Sequence, residues 1–456
     1  MSKTYRPYDP DQAYLLPPSP RDWLPEDHLA YFILDLVREL DLGPIYAHYD
    51  RELRGYPPHH PQMMVALLLY AYAVGVPSSR KIERRTHEDI AFRVIAGGTH
   101  PDHTRISEFR RIHLKELEKL FVQVLQLCAK AKLVKLGHIA IDGTKIKANA
   151  SKHKAMSYKR MKAEEAKLAD KVRVLLEAAE AADSQEDAAY GRGVRGDELP
   201  EELRRAKDRL ARIREAKAAL EAEAKANHEG KKAARKKDDD DEKGGTTSAS
   251  GKLPSHKVPA YADGTPKPRA QRNFTDPDSR IQKAGTDFIQ GFNAQAAVDS
   301  EAQVIVAHAV TNQPPDAEHL APMLDRIAEN CGRLPRNLSA DAGYFSAENV
   351  ALAEALGTDP HIAPGRERQK EVKPRPRGRP RSDQTPKEQM ARKLATKKGG
   401  AIYRRRKAIV EPPFGQIKQG RGFRSFLLRG IEKVQGEWAL ICTTHNLLKL
   451  HRARGR

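Results

Sequence analysis

Apolar residues recur at helical spacing through the N-terminal part of the chain. Residues 27–42 read as one amphipathic helix, and residues 60–135 as helices throughout, with Met64, Leu67 and Leu68 on one stripe. Gly75-Val76-Pro77 breaks that run, and Ser78 or Ser79 can cap a further helix that carries Arg80, Lys81, Arg84 and Arg85. A second turn, Gly97-Gly98-Thr99-His100-Pro101, precedes Thr104 and the basic series Arg105, Arg110 and Arg111. A helix-turn-helix element with such cations suits DNA, with Arg80, Lys81 and Arg84 on phosphates. An ordinary helical domain with a solvated basic face has the same pattern.

Near His138 the period shortens. Ile139-Ala140-Ile141 leads to Asp142 and Leu338-Ser339-Ala340 to Asp341, each followed by a glycine, Gly143 or Gly343, as in a buried strand opening into a turn. Residues 293–299 and 303–311 alternate around Asp299-Ser300-Glu301 and predict a β-hairpin. An amphipathic helix over 316–330, the Asp341 strand, a helix over 346–356 and a strand at 361–363 follow. The closing helix, 437–452, packs Trp438, Leu440, Ile441 and Leu447 into the fold.

Between these segments the composition turns to Ala, Glu, Lys, Arg and Leu. Met161, Leu168, Val172 and Leu175 form one helical stripe and Leu203, Leu210, Ile213 and Leu220 another, with a break at 191–200. Such a coiled-coil-like hairpin can cover DNA, pair with a second subunit or pack on its own domain. The run GKKAARKKDDDDEKGGTTSASGK then lacks the apolar content to fold alone. The resulting division is a helical domain at 1–135, an α/β domain built from 136–152 and 273–456, a helical insertion at 153–229 and a disordered charged linker at 230–272.

Charge adds a partner. The 456 residues hold 81 Lys and Arg against 61 Asp and Glu, a net charge of +20, which favours a polyanion. Cys128, Cys331 and Cys442 are far apart in apolar stretches, so neither a disulfide framework nor a cysteine metal knuckle is expected. The apolar stretch 63–74 is too short to span a bilayer, and the first residues lack a signal-peptide core, which points to the cytoplasm, where the DNA is. His59, His60, His100 and His103 lack zinc-site spacing.

Three acids carry the chemistry: Asp142, Asp341 and Glu411. On a continuous helix Glu411 would share a face with Arg404, Lys407 and Lys418, an acid ringed by phosphate-binding cations. Converging carboxylates repel one another and are most useful around Mg²⁺ or Mn²⁺. Two ions about 3.5–4 Å apart would clamp both oxygens of a phosphodiester displacement. Either Asp alone also reads as a turn residue or helix cap, but agreement at three separate places favours the chemistry.

The chain resembles the bacterial insertion-sequence transposases of the DDE class. The likeness runs over most of its length, through HPQMMVALLLYAYAVGVPSSRKIERRTHEDIAFRVIAGG, NFTDPDSRI, GFNAQAAVD, ADAGYFSAEN and EPPFGQIK. It implies an α/β RNase H-like catalytic domain, a mixed sheet with flanking helices, preceded by an all-α N-terminal domain and interrupted by the helical hairpin. It also implies that Asp142, Asp341 and Glu411 are catalytic metal ligands, that DNA ends are cut and joined to target DNA, and that a homodimer synapses two ends. Many relatives separate a Tyr, an Arg, the Glu and a Lys by two, three and six residues. Here Glu411 and Lys418 keep that spacing, Lys407 and Arg404 fill the Arg and Tyr positions, and Tyr403 and Arg406 stand one residue early. All five remain candidates for phosphate contact with Glu411. Pro412 and Pro413 place Glu411 at a helix start or kink. Arg377-Gly378-Arg379-Pro380 suits the narrow minor groove of A·T-rich DNA, or phosphates met without preference by a flexible loop. A structure-selective nuclease on the same fold and a non-enzymatic DNA-binding descendant are the alternative functions.

Overall fold

The computed structural model describes residues 19–51, 57–190, 201–240, 253–365 and 383–454. Arg377 and Arg379, and with them the minor-groove reading, lie outside the described residues. The chain divides into two units, one built from residues 1–134, 419–422 and 439–456, the other from 135–418 and 423–438.

The first unit is helical: α1 (Leu29–Glu39), α2 (Gly43–Tyr49), α3 (Pro61–Ala73), α4 (Ser79–Glu88), α5 (Ile90–Ile95), α6 (His103–Ile112) and α7 (Leu114–Lys130). Helix α3 buries every residue from Met64 to Ala73, so the apolar stretch at 63–74 is a core helix enclosed on all sides. No described helix is long and apolar enough to cross a membrane. The chain leaves α3 through Gly75, whose φ of +77° and approach to the Arg421 carbonyl, 2.5 Å from where a Cβ would stand, admit no side chain. Ser78 stands at the N-cap of α4, as expected, though its side chain makes no capping bond, whereas Asp89 and Asp102 cap α5 and α6, accepting from the backbone of Ala91 and Phe92 and of Thr104 and Arg105. Helix α4 buries Ile82 and Thr86 and leaves Arg80, Lys81 and Arg84 exposed. Arg110 departs from the basic series: only 5% exposed, it donates to the Tyr72 hydroxyl (3.1 Å), the Pro77 carbonyl (2.8 Å) and the Ser79 hydroxyl (3.3 Å). Its guanidinium ties α6 to the turn between α3 and α4 and is not offered to DNA.

The second unit comprises β1 (His138–Lys147), β2 (Ala155–Ser157), α8 (Tyr158–Tyr190), α9 (Glu201–Asp240), β3 (Gln271–Asn273), β4 (Arg280–Ala284), β5 (Asp287–Asp299), β6 (Ile305–Thr311), α10 (Leu320–Cys331), β7 (Asn337–Ala340), α11 (Ala347–Ala355), β8 (Asp359–Ile362), α12 (Pro386–Ala395), α13 (Lys397–Gly415) and the start of α14 (Ile431–Arg454). Among the described residues the main sheet has six strands in the order β4-β5-β1-β7-β8, with β6 also paired to β5. Strands β1, β7 and β8 are parallel, whereas β5 runs antiparallel to β1, β4 and β6. The hairpin stands where alternation predicts it, and Ile139, Ala140, Ile141, Phe292 and Val298 are completely buried. The sheet is therefore mixed, with helices packed on it.

Two features differ from the sequence reading. Strand β1 does not end at Asp142: its ladder with β5 continues through Gly143↔Gln295 to Lys147↔Gly291, so Gly143 is an interior strand residue and not a turn. The described part of the charged linker is ordered. Helix α9 runs on to Asp240, and Val258 and Ala270 pack with Tyr158, Leu220 and Ala224. Two apolar anchors are enough to dock a segment whose average composition reads as unstructured; residues 241–252 lie outside the described ones. Helices α8 and α9 pack lengthwise through Met161, Leu168, Leu210, Ile213 and Ala216, with Glu165 paired to Lys217 at 2.6 Å and to Arg214 at 3.1 Å.

Candidate active site

Parallel pairing brings two of the three acids together. The last aligned pair of β1 and β7 is Ile141↔Ala340, so Asp142 and Asp341 are the next residues on neighbouring strands. Asp341 leaves β7 as the cap of a short turn, its carboxylate accepting from the Gly343 N–H at 2.8 Å. Asp142 is held by its own strand: its carboxylate accepts from the Gly143 N–H at 2.8 Å. Burial and the neighbouring Asp341 push the Asp142 carboxyl up from 3.8 to about 6, against the opposing pull of Arg406. Above that pH Asp142 carries its charge close beside Asp341, an arrangement that calls for a cation.

Arg406 supplies one. Its guanidinium lies 3.1 Å from the Asp142 carboxylate, with side chains only 10% and 22% exposed, and sits over the Tyr403 ring at 5.9 Å. Arg406, Val410, Pro413 and Ile417 form the buried side of α13 and its continuation, whereas Arg404, Lys407 and Glu411 are exposed. The face expected to meet the substrate through Arg404 and Lys407 is thus not the one that meets Asp142. Arg406, one position early, takes that place, with the Tyr403 ring beneath it. Pro412 and Pro413 stand inside α13, near its end, and the chain continues as a wide π turn over Gln416–Gly420. Proline at 412 removes the donor that would satisfy the Ala408 carbonyl, and the Gln303 side chain donates to it instead at 2.9 Å. The wide turn re-aims Lys418, whose ammonium donates to the Lys145 carbonyl at 2.9 Å. Burial lowers its pKa, with Arg424 and Lys145 adding to the effect.

Glu411 is not brought into contact with the two aspartates. No hydrogen bond or ion pair joins it to either, and it does not figure among the charges that shift Asp142. Among the described residues no group of three His, Cys, Asp or Glu side chains is close enough to hold a metal ion. The donor set of Asp142 and Asp341 nevertheless suits a hard cation, since both are oxygen donors whose like charges oppose one another.

The sequence reading missed Asp316. It accepts from Asn293 Nδ2 at 2.7 Å and Gln295 Nε2 at 2.8 Å, and Lys145 Nζ lies 3.8 Å away. Gln295 also accepts from the Tyr344 hydroxyl and, through its carbonyl, from Trp438 Nε1 at 3.0 Å. Strand alternation puts Gly143 and Lys145 on the face of β1 opposite to Asp142. On that face a Cβ at position 143 would meet Gln295 Nε2 at 2.4 Å, Asn293 Oδ1 at 2.8 Å and Asp316 Oδ1 at 3.0 Å. Glycine is needed here for room, so that the polar network can pack against the acid-bearing strand; the same Asp316 carboxylate also flanks Asp341 around Gly343 and adds to the upward shift of Asp142. Asp316 follows Pro314-Pro315 at the mouth of a predicted helix, where an Asp reads as a cap. Its partners on β5 become visible only once β5 is paired with β1.

Fold and site together give an α/β domain with adjacent carboxylates at the ends of parallel-paired segments, where such sheets place their ligand sites. Residues 259–447 match the family described as Transposase DDE domain, and residues 18–111 match that described as Transposase domain (DUF772). Both matches indicate an insertion-sequence transposase of the DDE class. Asp341 and Glu411 lie inside the first match and Arg80, Lys81 and Arg84 inside the second, while Asp142 lies between them. No curated protein and no solved structure matches the chain significantly. The matches indicate a function in DNA transposition and binding to element ends, and domains of this class generally use divalent metal ions.

Proposed function

We propose that this chain cuts DNA at the ends of its element and joins the freed 3′-hydroxyl to target DNA at a single metal-dependent site on an RNase H-like domain. The observation that supports this most is the adjacency of Asp142 and Asp341 on parallel strands, backed by the ion pair from Arg406. The order of strand, hairpin, helix, strand with Asp, helix, strand and helix with Glu supports the RNase H-like reading. Asp142 and Asp341 would hold Mg²⁺ or Mn²⁺, with Glu411 as the third acid; α13, which carries it, packs on β1, β5, β7 and β8. Bound there, two such ions would neutralise the acids and the substrate phosphate and supply an activated water.

The protein's own part is to position and to balance charge. Asp142 is ionised at neutral pH, since its carboxyl titrates at about 6. Arg406, braced by Tyr403, holds one carboxylate oxygen and turns the rest of its fork toward a phosphate. Lys418 adds a phosphate contact beside the acids, Arg404 and Lys407 meet DNA phosphates from the exposed side of α13, and Arg80, Lys81 and Arg84 bind DNA from the helical unit. Two element ends require two active sites, and a homodimer provides them. Because the phosphate is displaced directly, no Ser or Tyr nucleophile is needed. The test is cleavage and joining of oligonucleotides bearing the element's ends, with Mg²⁺, by the wild type and Asp341→Ala. Loss of both products with DNA affinity kept within about threefold supports the site. Unchanged cleavage refutes it.

A further inference from the structure

Away from the acids, the helical pair and a two-stranded sheet enclose a pocket of about 720 Å³. Its volume falls in the range of clefts that take small ligands, about 300–1,000 Å³. Strands β2 and β3, paired from Ala155↔Asn273 to Ser157↔Gln271, form one wall, and α9 forms the other. Met156, Ile213, Ala216 and Phe274 make an apolar floor continuous with the core of the helical pair.

The rim is cationic: Lys154, Arg160, Arg209, Arg212 and Arg272. Two of these are already occupied, Arg272 by Glu223 at 3.1 Å and Arg209 by Glu164 at 3.5 Å. Among the described residues the side chains of Lys154, Arg160 and Arg212 have no carboxylate within 4.0 Å, and all three are exposed. Glu215 is the one carboxylate among the described lining residues. Three unpaired cations held around one concavity repel one another, and an anion relieves that repulsion.

The floor and the remaining polar groups narrow the choice of anion. Asn273 spends its amide on the Ser151 carbonyl (2.8 Å) and its side-chain oxygen on the Thr275 N–H (2.8 Å) and the Asp276 N–H (3.2 Å). It has little left with which to read a base edge, which leaves charge at the rim and apolar surface beneath. That combination suits a sugar-phosphate chain, with phosphates on the cations and deoxyribose carbons on the floor.

We infer that this pocket binds the phosphodiester backbone of DNA, without regard to sequence, and so gives the helical pair a direct grip on the substrate. The inference rests on the reading of the chain as a DNA-binding transposase.

The experiment is equilibrium binding of the full chain to a fluorescent duplex across a series of salt concentrations. Arg160→Ala/Arg212→Ala is compared with Arg204→Ala/Lys207→Ala, which removes two positive charges of α9 that do not line the pocket. Removing one cation that neutralises a phosphate lowers the slope of log affinity against log salt by about 0.9, so the rim pair should lower it by about 1.8 and the control pair should leave it near the wild-type value. Lys154→Ala, outside both long helices, should lower it by about 0.9 and guards against a folding defect in the pair. Equal slopes for rim and control variants, with Lys154→Ala also unchanged, overturn the site while the transposase reading stands. A wild-type chain with no affinity for DNA overturns both. Loss of slope in every variant alike would mean that net charge alone is at work, which also overturns the site.

Discussion

Replacing Asp142 by Asn should stabilise the protein and abolish its chemistry. The Asp142 carboxyl titrates at about 6 in the fold, against 3.8 for the free side chain. A pKa displaced by one pH unit corresponds to about 1.4 kcal/mol, so the ionised acid costs the fold about 3 kcal/mol at pH 8, the attraction of Arg406 already counted. A folded-state pKa raised above the unfolded value makes the penalty full above about pH 6, and protonation relieves it as the pH falls through 6 toward 4. The asparagine side chain is neutral throughout, so the variant should melt higher than the wild type at pH 8, by roughly 5–10 °C in a unit of this size. The gap should close as the pH falls to about 4.5. The assay is thermal denaturation in a chelating buffer at the two pH values, followed by addition of Mg²⁺, which should raise the wild type and not the variant. Equal melting at pH 8, or a gap indifferent to pH, would refute the claim that Asp142 is a buried carboxylate kept charged at a cost.

Two further substitutions test the supporting network. Gly143→Ala drives a methyl group to 2.4 Å from Gln295 Nε2 inside a paired strand and should cost about 3 kcal/mol, measured by urea unfolding. A variant as stable as the wild type would mean that β5 can move away from β1 freely. Asp316→Ala removes the charge facing Lys145 and the acceptor shared by Asn293 and Gln295, a loss of about 2 kcal/mol that should also lower cleavage without changing DNA affinity. Full cleavage activity would show that the network is structural padding with no bearing on the acids.

The parts of the fold that depend on local pattern are readable from the chain. The hairpin over β5 and β6 follows from alternation around Asp299-Ser300-Glu301, and α10, β7, α11 and β8 stand where apolar spacing places them. What escapes depends on neighbours distant in sequence. Gly143 looks like a turn because glycine after an apolar run usually is one, and only the ladder to β5 keeps the strand going. The tidier offsets of Arg404 and Lys407 from Glu411 outweigh Arg406 in the sequence, and in α13 those three do share one side, but only the docking of the helix on β1 shows that the opposite, buried side is the one that meets Asp142. Arg110 looks like one more surface cation until α6 folds back onto the α3–α4 turn. Asp316 has no sequence signal beyond that of a helix cap, since its meaning lies in Asn293 and Gln295 across the sheet.

The two prolines near the end of α13 carry a consequence for how this sequence can vary. The Ala408 carbonyl, deprived of its helical donor, depends on Gln303 at the hairpin turn more than one hundred positions earlier. A lineage that loses Gln303 while keeping Pro412 leaves that carbonyl without its donor, whereas one that first replaces Pro412 by a residue with an N–H frees position 303 to drift. The order in which the two changes arise therefore matters, and the pair should behave epistatically: a hairpin turn and a helix end, remote in the chain, are tied by a single shared acceptor.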